Sequence, residues 1–380
     1  MAGRIGFDAK RAFYNKSGLG NYARTLISSL IKYHPEFNYL LFSPKNNREN
    51  LFPIADGQAK LIAPEKQFHQ KFPSLWRSYF ITENIRNEKL NIFHGLSNEL
   101  PANINNTGLA KIVTIHDLIF LSHPKLYPYF DRKVYNLKFR KSCQSADIVI
   151  AISESTKLGL MDYYKIPEAK IRVAYQSCHP SYFSFLPEKE KEEMVKKKFM
   201  LPRQFMLYVG TIEERKNLLS IIKAMALLPA SIRIPLVIVG GKRDAYFNQV
   251  KEFIIKNNLQ DLIIIPSNVD DEALKYFYKL ASLFIYPSVF EGFGLPALEA
   301  LLMETPVITS STSSLPEAAG PNSCLLQNPT DALEMAAAIE SLLQSEEKRK
   351  TMSRFGLDWA QQFHPEKTST NVASIYKEFL

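Results

Sequence analysis

The chain has 380 residues, 46% of them hydrophobic, and this length suggests two domains rather than a single core. No run approaches the roughly 18 consecutive apolar residues of a membrane-spanning helix, and the N-terminal sequence MAGRIGFDAK lacks the pattern of a signal peptide. Cys143, Cys178 and Cys324 are far apart in the sequence, which argues against a disulfide framework or a zinc site and favours a reducing cytoplasm.

The net charge of +9 comes entirely from the first half of the chain. Residues 1–190 hold 26 Lys and Arg against 16 Asp and Glu, whereas residues 191–380 hold 21 against 22. A nucleic-acid partner is not favoured, because we find neither a recognition motif nor interleaving of basic and aromatic residues. Two interpretations stay open for the basic half, namely a solvated surface or one that faces an anionic membrane.

Short apolar runs alternate with helical patterns through residues 1–185, which predicts a parallel-sheet domain. The predicted strands are 4–8, 39–43, 59–62, 92–95, 111–116, 146–152 and 170–174, and the predicted helices include 22–33, 75–90 and 127–145. The segment NKSGLGN at 15–21 contains Gly18 and Gly20 but lacks the third glycine of a GxGxxG dinucleotide motif. We expect this segment to be a loop whose backbone can approach a ligand. His116 stands at the carboxyl end of strand 111–116, where open α/β sheets bind ligands.

The same alternation through residues 203–360 predicts a second domain of this kind. Its predicted strands are 205–209, 235–241, 262–266, 283–286 and 306–309, its predicted helices include 271–280, 296–303, 333–344 and 346–363, and 310–320 is expected to be a polar loop. The charged segment 186–202 lies between the two domains and is predicted to be a linker. A final helix at 370–380 is expected to bring residues 361–380 back onto the N-terminal domain.

The most informative stretch is YPSVFEGFGLPALEALLMET at 286–305. The stretch begins at the end of a predicted strand. A glycine loop comes next, and then a helix that has proline near its start. The helix N-terminus directs free N–H groups and a positive dipole end into the loop, which favours an anion. Glu291 and Glu299 flank this loop, and the spacing alone is compatible with a capping or a functional role. Arg215 and Lys216 follow another strand–glycine turn and suit a diphosphate.

The segment EGFGLPALE at 291–299 resembles the paired-glutamate signature of retaining GT-B glycosyltransferases of family 4, the glycosyl transferases group 1. Further segments resemble other motifs of that family in the same order: SGLGNY at 17–22, TIHDL at 114–118, ADIVIAISEST at 146–156, VGTIEERKN at 209–217 and SSLPEAAG at 313–320. The resemblance covers nearly the whole chain. It implies an α/β GT-B fold, in which two Rossmann-like parallel-sheet domains face a central cleft. It also implies transfer of a sugar from a nucleotide-sugar held by residues 203–360 to an acceptor held by residues 1–185, with retention of configuration.

The resemblance implies a role for each matched residue. Glu291 would lie beside the transferred sugar and His116 would close over it, so these two residues are the catalytic candidates. Glu299 would contact the nucleotide ribose, and Arg215 and Lys216 would hold the diphosphate. The other donor-binding candidates come from the glycine loops and from a loop near the base: Gly18, Gly20, Asn268, Val269, Gly292, Phe293, Gly294 and Leu295.

The chain departs from the family pattern in one place. Many members have Arg directly after the glycine of the VG turn, whereas this chain has Thr211, so Arg215 is expected to supply that charge. The sequence has no DxD metal motif at a strand end. We expect neither a metal nor another cofactor, because Arg, Lys and helix N–H groups can stabilise a leaving diphosphate.

HDLIFLSHP at 116–124 and TIEERKN at 211–217 look most like the mannosyltransferase branch, so GDP-mannose is the expected donor and UDP-sugars are the alternative. The acceptor is expected to be a glycan or glycolipid, and the enzyme to be cytoplasmic, peripheral at the inner face of the cytoplasmic membrane. A non-catalytic sugar-nucleotide-binding protein is the alternative from another class, although both glutamates are present. An NAD-dependent oxidoreductase would need the complete GxGxxG motif, with an acidic residue about 20 positions later.

Overall fold

The computed structural model describes residues 3–45, 51–53, 57–241 and 244–380. Its contacts divide the chain into two compact units. Unit 1 comprises Met1–His179 and Phe363–Leu380, and unit 2 comprises Pro180–Gln362.

Each unit contains one parallel sheet. The strands of unit 1 are β1 (Arg4–Asp8), β2 (Asn38–Phe42), β3 (Lys60–Ile62), β4 (Ile92–Gly95), β5 (Ala110–Ile115), β6 (Ile148–Ala151) and β7 (Ile171–Val173). The strands of unit 2 are β8 (Met206–Val209), β9 (Leu236–Val239), β10 (Ile263–Ile264), β11 (Leu283–Tyr286), β12 (Val307–Ser310) and β13 (Cys324–Leu326).

Helices connect the strands. In the first part of the chain they are α1 (Lys10–Tyr14), α2 (Gly18–Tyr33), α3 (Gln67–Lys71), α4 (Pro73–Leu75), a π-helix (Trp76–Phe80), α5 (Ile81–Asn87), α6 (Ile119–Ser122), α7 (Tyr129–Ser145) and α8 (Glu154–Tyr164). They continue with α9 (Pro180–Phe183), α10 (Lys189–Phe199), α11 (Leu218–Leu227), α12 (Asp244–Lys256), α13 (Asp271–Leu280) and α14 (Leu295–Leu302). The last are α15 (Leu315–Ala319), α16 (Ala332–Leu343), α17 (Glu346–Ala360) and α18 (Pro365–Lys377).

The order of the strands identifies the fold. The sheet of unit 1 runs β3-β2-β1-β4-β5-β6-β7, and that of unit 2 runs β10-β9-β8-β11-β12-β13. Both begin with the third, second, first and fourth strands of their unit, which is the doubly wound Rossmann order. Strands such as β4, β6 and β11 are buried along their whole length, because helices cover both faces of a parallel sheet. The prediction of two Rossmann-like parallel-sheet domains is confirmed.

The C-terminal helix is part of unit 1. It packs on α2, and the His34 Nε2 and Thr370 Oγ1 atoms are 3.1 Å apart. Tyr376 is completely buried in the same hydrophobic core as Ile5 and Ile92, and its hydroxyl is 2.7 Å from the His94 Nδ1 atom. Residues far apart in sequence therefore build one core.

The structure differs from the sequence-based elements in several places. The charged segment 186–202 does not separate the units, since they divide between His179 and Pro180. Its helix α10 packs within unit 2, where the Phe199 and Phe277 ring centroids are 5.1 Å apart. A π-helix interrupts the predicted helix 75–90, and residues 315–319 of the expected polar loop form α15. These differences arise from packing between segments, which a local hydrophobic pattern does not encode.

The GLG segment is also different from the expectation. Helix α2 begins at Gly18 rather than near residue 22, so Gly18 and Gly20 form its first turn and not a loop. A Cβ atom at Gly20 would overlap the carbonyl group of Asn15, whereas one at Gly18 would meet open space. Close packing therefore accounts for the glycine at position 20, while nothing in the packing requires the one at 18.

Candidate active site

The candidate site of unit 2 lies at the carboxyl ends of β8 and β11. These two strands are neighbours in the sheet although two strands, β9 and β10, lie between them in the chain, so the crossover direction reverses between them. Such a switch point opens a crevice between the loops that follow the two strands. Here the loops are bonded to each other, since the Val289 N–H donates to the Arg215 carbonyl oxygen at 2.9 Å.

Three positions near this crevice require glycine. Gly210 and Gly240 end β8 and β9 with φ values of +152° and +153°, and a Cβ atom at Gly240 would overlap the Gly210 carbonyl group. Gly294 caps α14 with φ of +114°, and a Cβ atom there would come within 2.8 Å of the Leu315 side chain. Left-handed backbone and close neighbours together exclude larger residues. The loop backbone can consequently approach a ligand closely.

The carboxylate of Glu291 is at the centre of the site. Its Oε1 atom accepts hydrogen bonds from the Tyr286 hydroxyl at 2.7 Å and the Ser288 hydroxyl at 2.9 Å. The same oxygen lies 2.7 Å from Arg215 Nη1 and 3.6 Å from Lys216 Nζ. Burial favours the neutral acid, but Lys216, Arg215 and the hydrogen bonds outweigh it and lower the pKa of Glu291 to about 2. Glu291 is therefore a fixed negative charge, with 13% of its side chain exposed.

Tyr286 links Lys216 to this carboxylate. The Lys216 ammonium donates to the Tyr286 hydroxyl oxygen at 2.6 Å, and the hydroxyl donates in turn to Glu291. Lys216 Nζ also lies 5.0 Å from the centre of the Tyr286 ring. Tyr286 is completely buried, and neither Tyr286 nor Ser288 was predicted from the sequence as a site residue. The available signal was a hydroxyl at the end of the otherwise apolar strand LFIY.

Arg215 is held by groups of its own unit. Its Nη1 atom donates to the Phe290 carbonyl oxygen at 2.7 Å, and its Nη2 atom donates to the Glu213 carboxylate at 2.8 Å. Burial opposes the charged form, but Glu291 outweighs burial and raises the pKa of Arg215. Arg215 thus braces the loop and balances Glu291. The Lys216 ammonium, by contrast, contacts the side chains of Tyr286 and Glu291.

The loop that follows β12 supports the glycine loop from behind. The Glu291 N–H donates to the Ser313 hydroxyl oxygen at 3.0 Å. The Ser314 hydroxyl is 2.9 Å from the carbonyl oxygens of both Glu291 and Phe293. Phe293 is 3% exposed, whereas its neighbours Gly292 and Leu295 are half-buried. Residues 291–295 are accordingly fixed before any ligand is bound.

Glu299 has a different environment from Glu291. It lies in the second turn of α14, and its Oε2 atom accepts a hydrogen bond from the Tyr278 hydroxyl at 2.8 Å. Burial raises the pKa of Glu299 to about 7, against the lowering effect of that hydrogen bond. Cations thus hold the Glu291 carboxyl ionised, whereas the Glu299 carboxyl is about half protonated near pH 7.

Replacing Glu299 by Gln is expected to stabilise the ligand-free protein at pH 8 by about 3 kcal/mol. The unfolded chain loses the Glu299 proton near the ordinary pKa of 4.5, whereas the folded protein keeps it until about 7. Stability therefore falls as the pH rises from 4.5 to 7, and a neutral amide avoids that cost. Urea unfolding at pH 5 and pH 8 measures the difference, with Glu304→Gln as the control at an exposed carboxylate. Equal stability of the Glu299 variant and the parent protein at pH 8 would contradict this account.

Asn268 and Val269 lie at the same edge of the sheet but farther away. They follow β10, which is three strands from β11 in the sheet order. Asn268 has a left-handed backbone with φ of +55° and is exposed, and Val269 is half-buried just before the Asp270 cap of α13. Their predicted contact with a base stays a prediction.

In unit 1, His116 follows β5 and is 5% exposed. Its Nε2 atom lies 2.9 Å from the Leu96 carbonyl oxygen, which can only accept, so Nε2 carries the proton. Its Nδ1 atom is 3.3 Å from the Gln176 amide nitrogen. The His116 and Tyr22 rings pack edge to face, with their centroids 4.6 Å apart. Burial lowers the pKa of His116 to about 4. His116 is thus a neutral, well-oriented imidazole, and its contact with a donor sugar stays a prediction.

Two buried histidines are expected to make unit 1 sensitive to acid. Burial lowers the pKa of His94 to about 3 and that of His116 to about 4, whereas the unfolded chain binds protons from about 6.5. Stability should therefore be complete above pH 6.5 and fall as the pH drops towards 4, by about 2–3 kcal/mol for His116.

Tryptophan fluorescence can follow this loss in unit 1. Trp76 is buried in unit 1 and the other tryptophan, Trp359, lies in unit 2, so a Trp359→Phe background isolates the first signal. Urea unfolding from pH 7 to pH 4 should show a smaller loss in His116→Gln than in its background. The same dependence of the unfolding free energy on pH in both proteins would show that His116 does not titrate as described.

Among the residues that the structure describes, no group of three or more His, Cys, Asp or Glu side chains is placed to hold a metal ion. The same part of the chain contains no helix that is long and apolar enough to cross a bilayer.

Two family models match the chain. The model for glycosyltransferase family 4 covers residues 16–180, and the model for glycosyl transferases group 1 covers residues 189–359. Together with the two Rossmann-like sheets, these matches show that the chain belongs to the GT-B glycosyltransferases of this family.

Individual relatives give the same class. The chain is 28% identical to O-antigen chain mannosyltransferase B of Escherichia coli, over 98% of this chain and 99% of that protein. It is 31% identical to O-antigen chain mannosyltransferase RfbU of Salmonella typhimurium, over 64% and 63% of the respective chains. Among solved structures, a glycosyltransferase from Rickettsia africae has a TM-score of 0.74 at 20% identity, covering 99% of this chain and 98% of that one. Anabaena HepE in complex with UDP has a TM-score of 0.75 at 14% identity and is covered completely, as is this chain. These structural similarities concern the fold.

Proposed function

We propose that this glycosyltransferase moves mannose from GDP-mannose to a glycan or lipid-linked acceptor, with retention of the anomeric configuration. The observation that carries the proposal is the arrangement of Glu291 with Lys216 and Arg215 at the switch point of unit 2. The names of the relatives, both O-antigen mannosyltransferases, support mannose as the sugar. HepE was solved with UDP and with UDP-glucose, and this supports a nucleotide-sugar donor.

The charges of the site fit this chemistry. Breaking a glycosyl–phosphate bond builds negative charge on the departing diphosphate and positive charge on the sugar. Lys216 and the N–H groups at the start of α14 would meet the diphosphate. Glu291, ionised at all physiological pH values, would face the positive charge on the sugar. Because these groups are fixed before the reaction, little reorganisation is needed when the charge develops.

We do not assign Glu291 and Glu299 as the acid and the carboxylate of a glycoside hydrolase, because each is engaged by side chains of its own unit. A hydrolase uses one neutral carboxylic acid and one carboxylate on either side of the bond. Glu291 is paired with two cations, and Glu299 accepts a hydrogen bond from Tyr278 of the preceding helix α13. A diphosphate is a good leaving group without protonation, so transfer needs no such acid. In this proposal Glu299 accepts hydrogen bonds from the ribose hydroxyls. His116 of unit 1, the unit that would hold the acceptor, contacts the donor sugar.

Nucleotide release from a panel of donors tests the proposal. The purified chain is incubated with GDP-mannose, UDP-glucose, UDP-galactose and UDP-N-acetylglucosamine, with and without lipid extracts as acceptors. We expect GDP to be released from GDP-mannose in an acceptor-dependent manner. Release of UDP alone would show that the donor is a UDP-sugar and not GDP-mannose. Tight binding of a nucleotide-sugar without any release would favour a non-catalytic sugar-nucleotide-binding protein.

A further inference from the structure

An exposed cluster of large apolar side chains occupies residues 68–80 of unit 1. Phe68, Phe72, Leu75, Tyr79 and Phe80 are all exposed. The Phe68 and Phe72 ring centroids are 5.0 Å apart, and those of Phe68 and Phe80 are 6.3 Å apart. The rings thus form a patch that is ordered by its own contacts and open to solvent.

Helix α7 presents a second cluster of this kind. Tyr129, Phe130, Val134, Tyr135 and Leu137 are exposed, with Phe130 at 80% and Leu137 at 71%. Within this 17-residue helix only a serine and a cysteine near its C-terminus are buried. An amphipathic helix ordinarily covers its apolar residues. The two clusters contain half of the exposed large hydrophobic side chains of the described residues, so this exposure is concentrated rather than scattered.

The segment 99–102 holds the two clusters next to each other. Glu99 forms ion pairs with Arg77 of the π-helix at 2.9 Å and with Lys138 of α7 at 3.5 Å. The Ala102 N–H donates to the Ser78 carbonyl oxygen at 2.7 Å, and the Leu100 N–H donates to the Ser142 hydroxyl at 2.9 Å. The segments 68–80 and 129–137 therefore lie side by side, and we call their exposed apolar side chains together the aromatic platform.

The charge around the platform is strongly positive. Residues 66–80 contain Lys66 and Lys71 and no acid, and their third basic residue, Arg77, is largely buried and paired with Asp8 and Glu99. Residues 125–141 contain six Lys and Arg against the single Asp131. Basic and aromatic residues do interleave here, contrary to the expectation drawn from the sequence. The Lys133 ammonium lies 5.4 Å from the centre of the exposed Tyr129 ring, so a cation and an apolar group are adjacent on this helix.

These charges decide between possible occupants. A second copy of the chain would bring two sets of lysines together, and lysine is depleted from protein interfaces. Single-stranded nucleic acid would use the rings for stacking, but the aliphatic Leu75, Val134 and Leu137 have no such use. A bilayer surface accommodates all three kinds of group, because aromatic and aliphatic side chains enter the acyl boundary while lysines stay near anionic headgroups.

We propose that the aromatic platform docks unit 1 onto an anionic lipid bilayer. The inference is independent of the donor and of catalysis by unit 2. It specifies which surface binds the membrane. Residues 68–80 and 129–137 make the apolar contact, and the surrounding lysines provide selectivity for negative headgroups. The enzyme would then meet acceptors that are themselves embedded in lipid.

Vesicle co-sedimentation of the full chain tests this surface. Vesicles of phosphatidylcholine alone are compared with vesicles that also contain phosphatidylglycerol, at low and high salt. We expect binding to the anionic vesicles at low salt, weakened by salt. Lys133→Gln/Lys141→Gln should lower the partition coefficient about fivefold per lysine. Phe130→Ser/Leu137→Ser should weaken binding at both salt concentrations.

Leu333→Ser is the matched control, since Leu333 in unit 2 is 70% exposed, like Leu137, but lies outside the platform. It should bind vesicles as the parent chain does, and circular dichroism with thermal unfolding verifies the fold of each variant. Equal vesicle binding by Phe130→Ser/Leu137→Ser and the parent chain would overturn the proposal. So would a failure of the parent chain to bind anionic vesicles, or sedimentation equilibrium showing a dimer that the Phe130→Ser/Leu137→Ser variant loses. None of these outcomes depends on whether sugar transfer is detected.

Discussion

Replacing Glu291 by Gln is expected to lower kcat for sugar transfer by a factor of about 10²–10³. The amide keeps the shape of the side chain and can still accept from Tyr286 and Ser288, but it removes the negative charge beside the developing sugar cation. It also leaves Arg215 and Lys216 without their shared counter-charge. Affinity for the free nucleotide should change far less, because Glu299 and the α14 N-terminus are untouched.

Steady-state kinetics and calorimetric titration with the nucleotide separate these two effects. Glu304→Gln is the matched control, since its carboxylate makes an exposed 2.7 Å pair with Lys279 and such pairs contribute little to stability. Unfolding of the Glu291 variant must be measured as well, because removing one partner of a half-buried charge cluster is destabilising. A folded Glu291→Gln enzyme with kcat close to that of the parent would exclude a catalytic role for this carboxylate.

Replacing Lys216 by Met is expected to weaken binding of the nucleoside diphosphate by about 10–100-fold. Methionine keeps much of the apolar stem over the Tyr286 ring and removes only the charge. The Tyr286 hydroxyl can still donate to Glu291, and Arg215 still balances that carboxylate, so the fold should persist.

A nucleoside monophosphate distinguishes loss of the diphosphate contact from general damage to the site. Lys216→Met should bind the monophosphate almost as the parent does, because the contact to the second phosphate is the one that is missing. Lys223→Met in α11 serves as the control at an exposed lysine. Equal weakening of monophosphate and diphosphate binding would assign Lys216 to the architecture of the loop and not to the phosphate.

The strand–loop–helix structure of residues 283–303 could be predicted from the sequence, because each residue pattern that indicates it is local. The apolar run predicts β11, and Pro296 at the start of α14 marks the helix. The prominence of Glu291 followed from the same stretch. Its ionised state did not, since that depends on Arg215 and Lys216, more than seventy residues earlier.

The parts that were missed depend on contacts between distant segments. Tyr286 looks like one more apolar strand residue until Lys216 and Glu291 are placed on its hydroxyl. Gly18 and Gly20 were expected in a loop because glycines after a strand let the backbone approach a ligand, yet the close approach of the Asn15 backbone makes Gly20 necessary inside α2. The basic-aromatic pattern of residues 66–80 and 125–141 was overlooked because it becomes one surface only when Glu99 joins the two segments.

In the function that we propose, one ionised carboxylate, Glu291, faces a sugar that leaves a diphosphate with its configuration retained. The most direct test is the one-bond C1–H1 coupling of the transferred sugar, measured by NMR on the product formed from an α-configured donor such as GDP-mannose. We expect an α-linked product. A β-linked product would contradict this expectation, because inversion requires a base that activates the acceptor from the opposite face of the sugar.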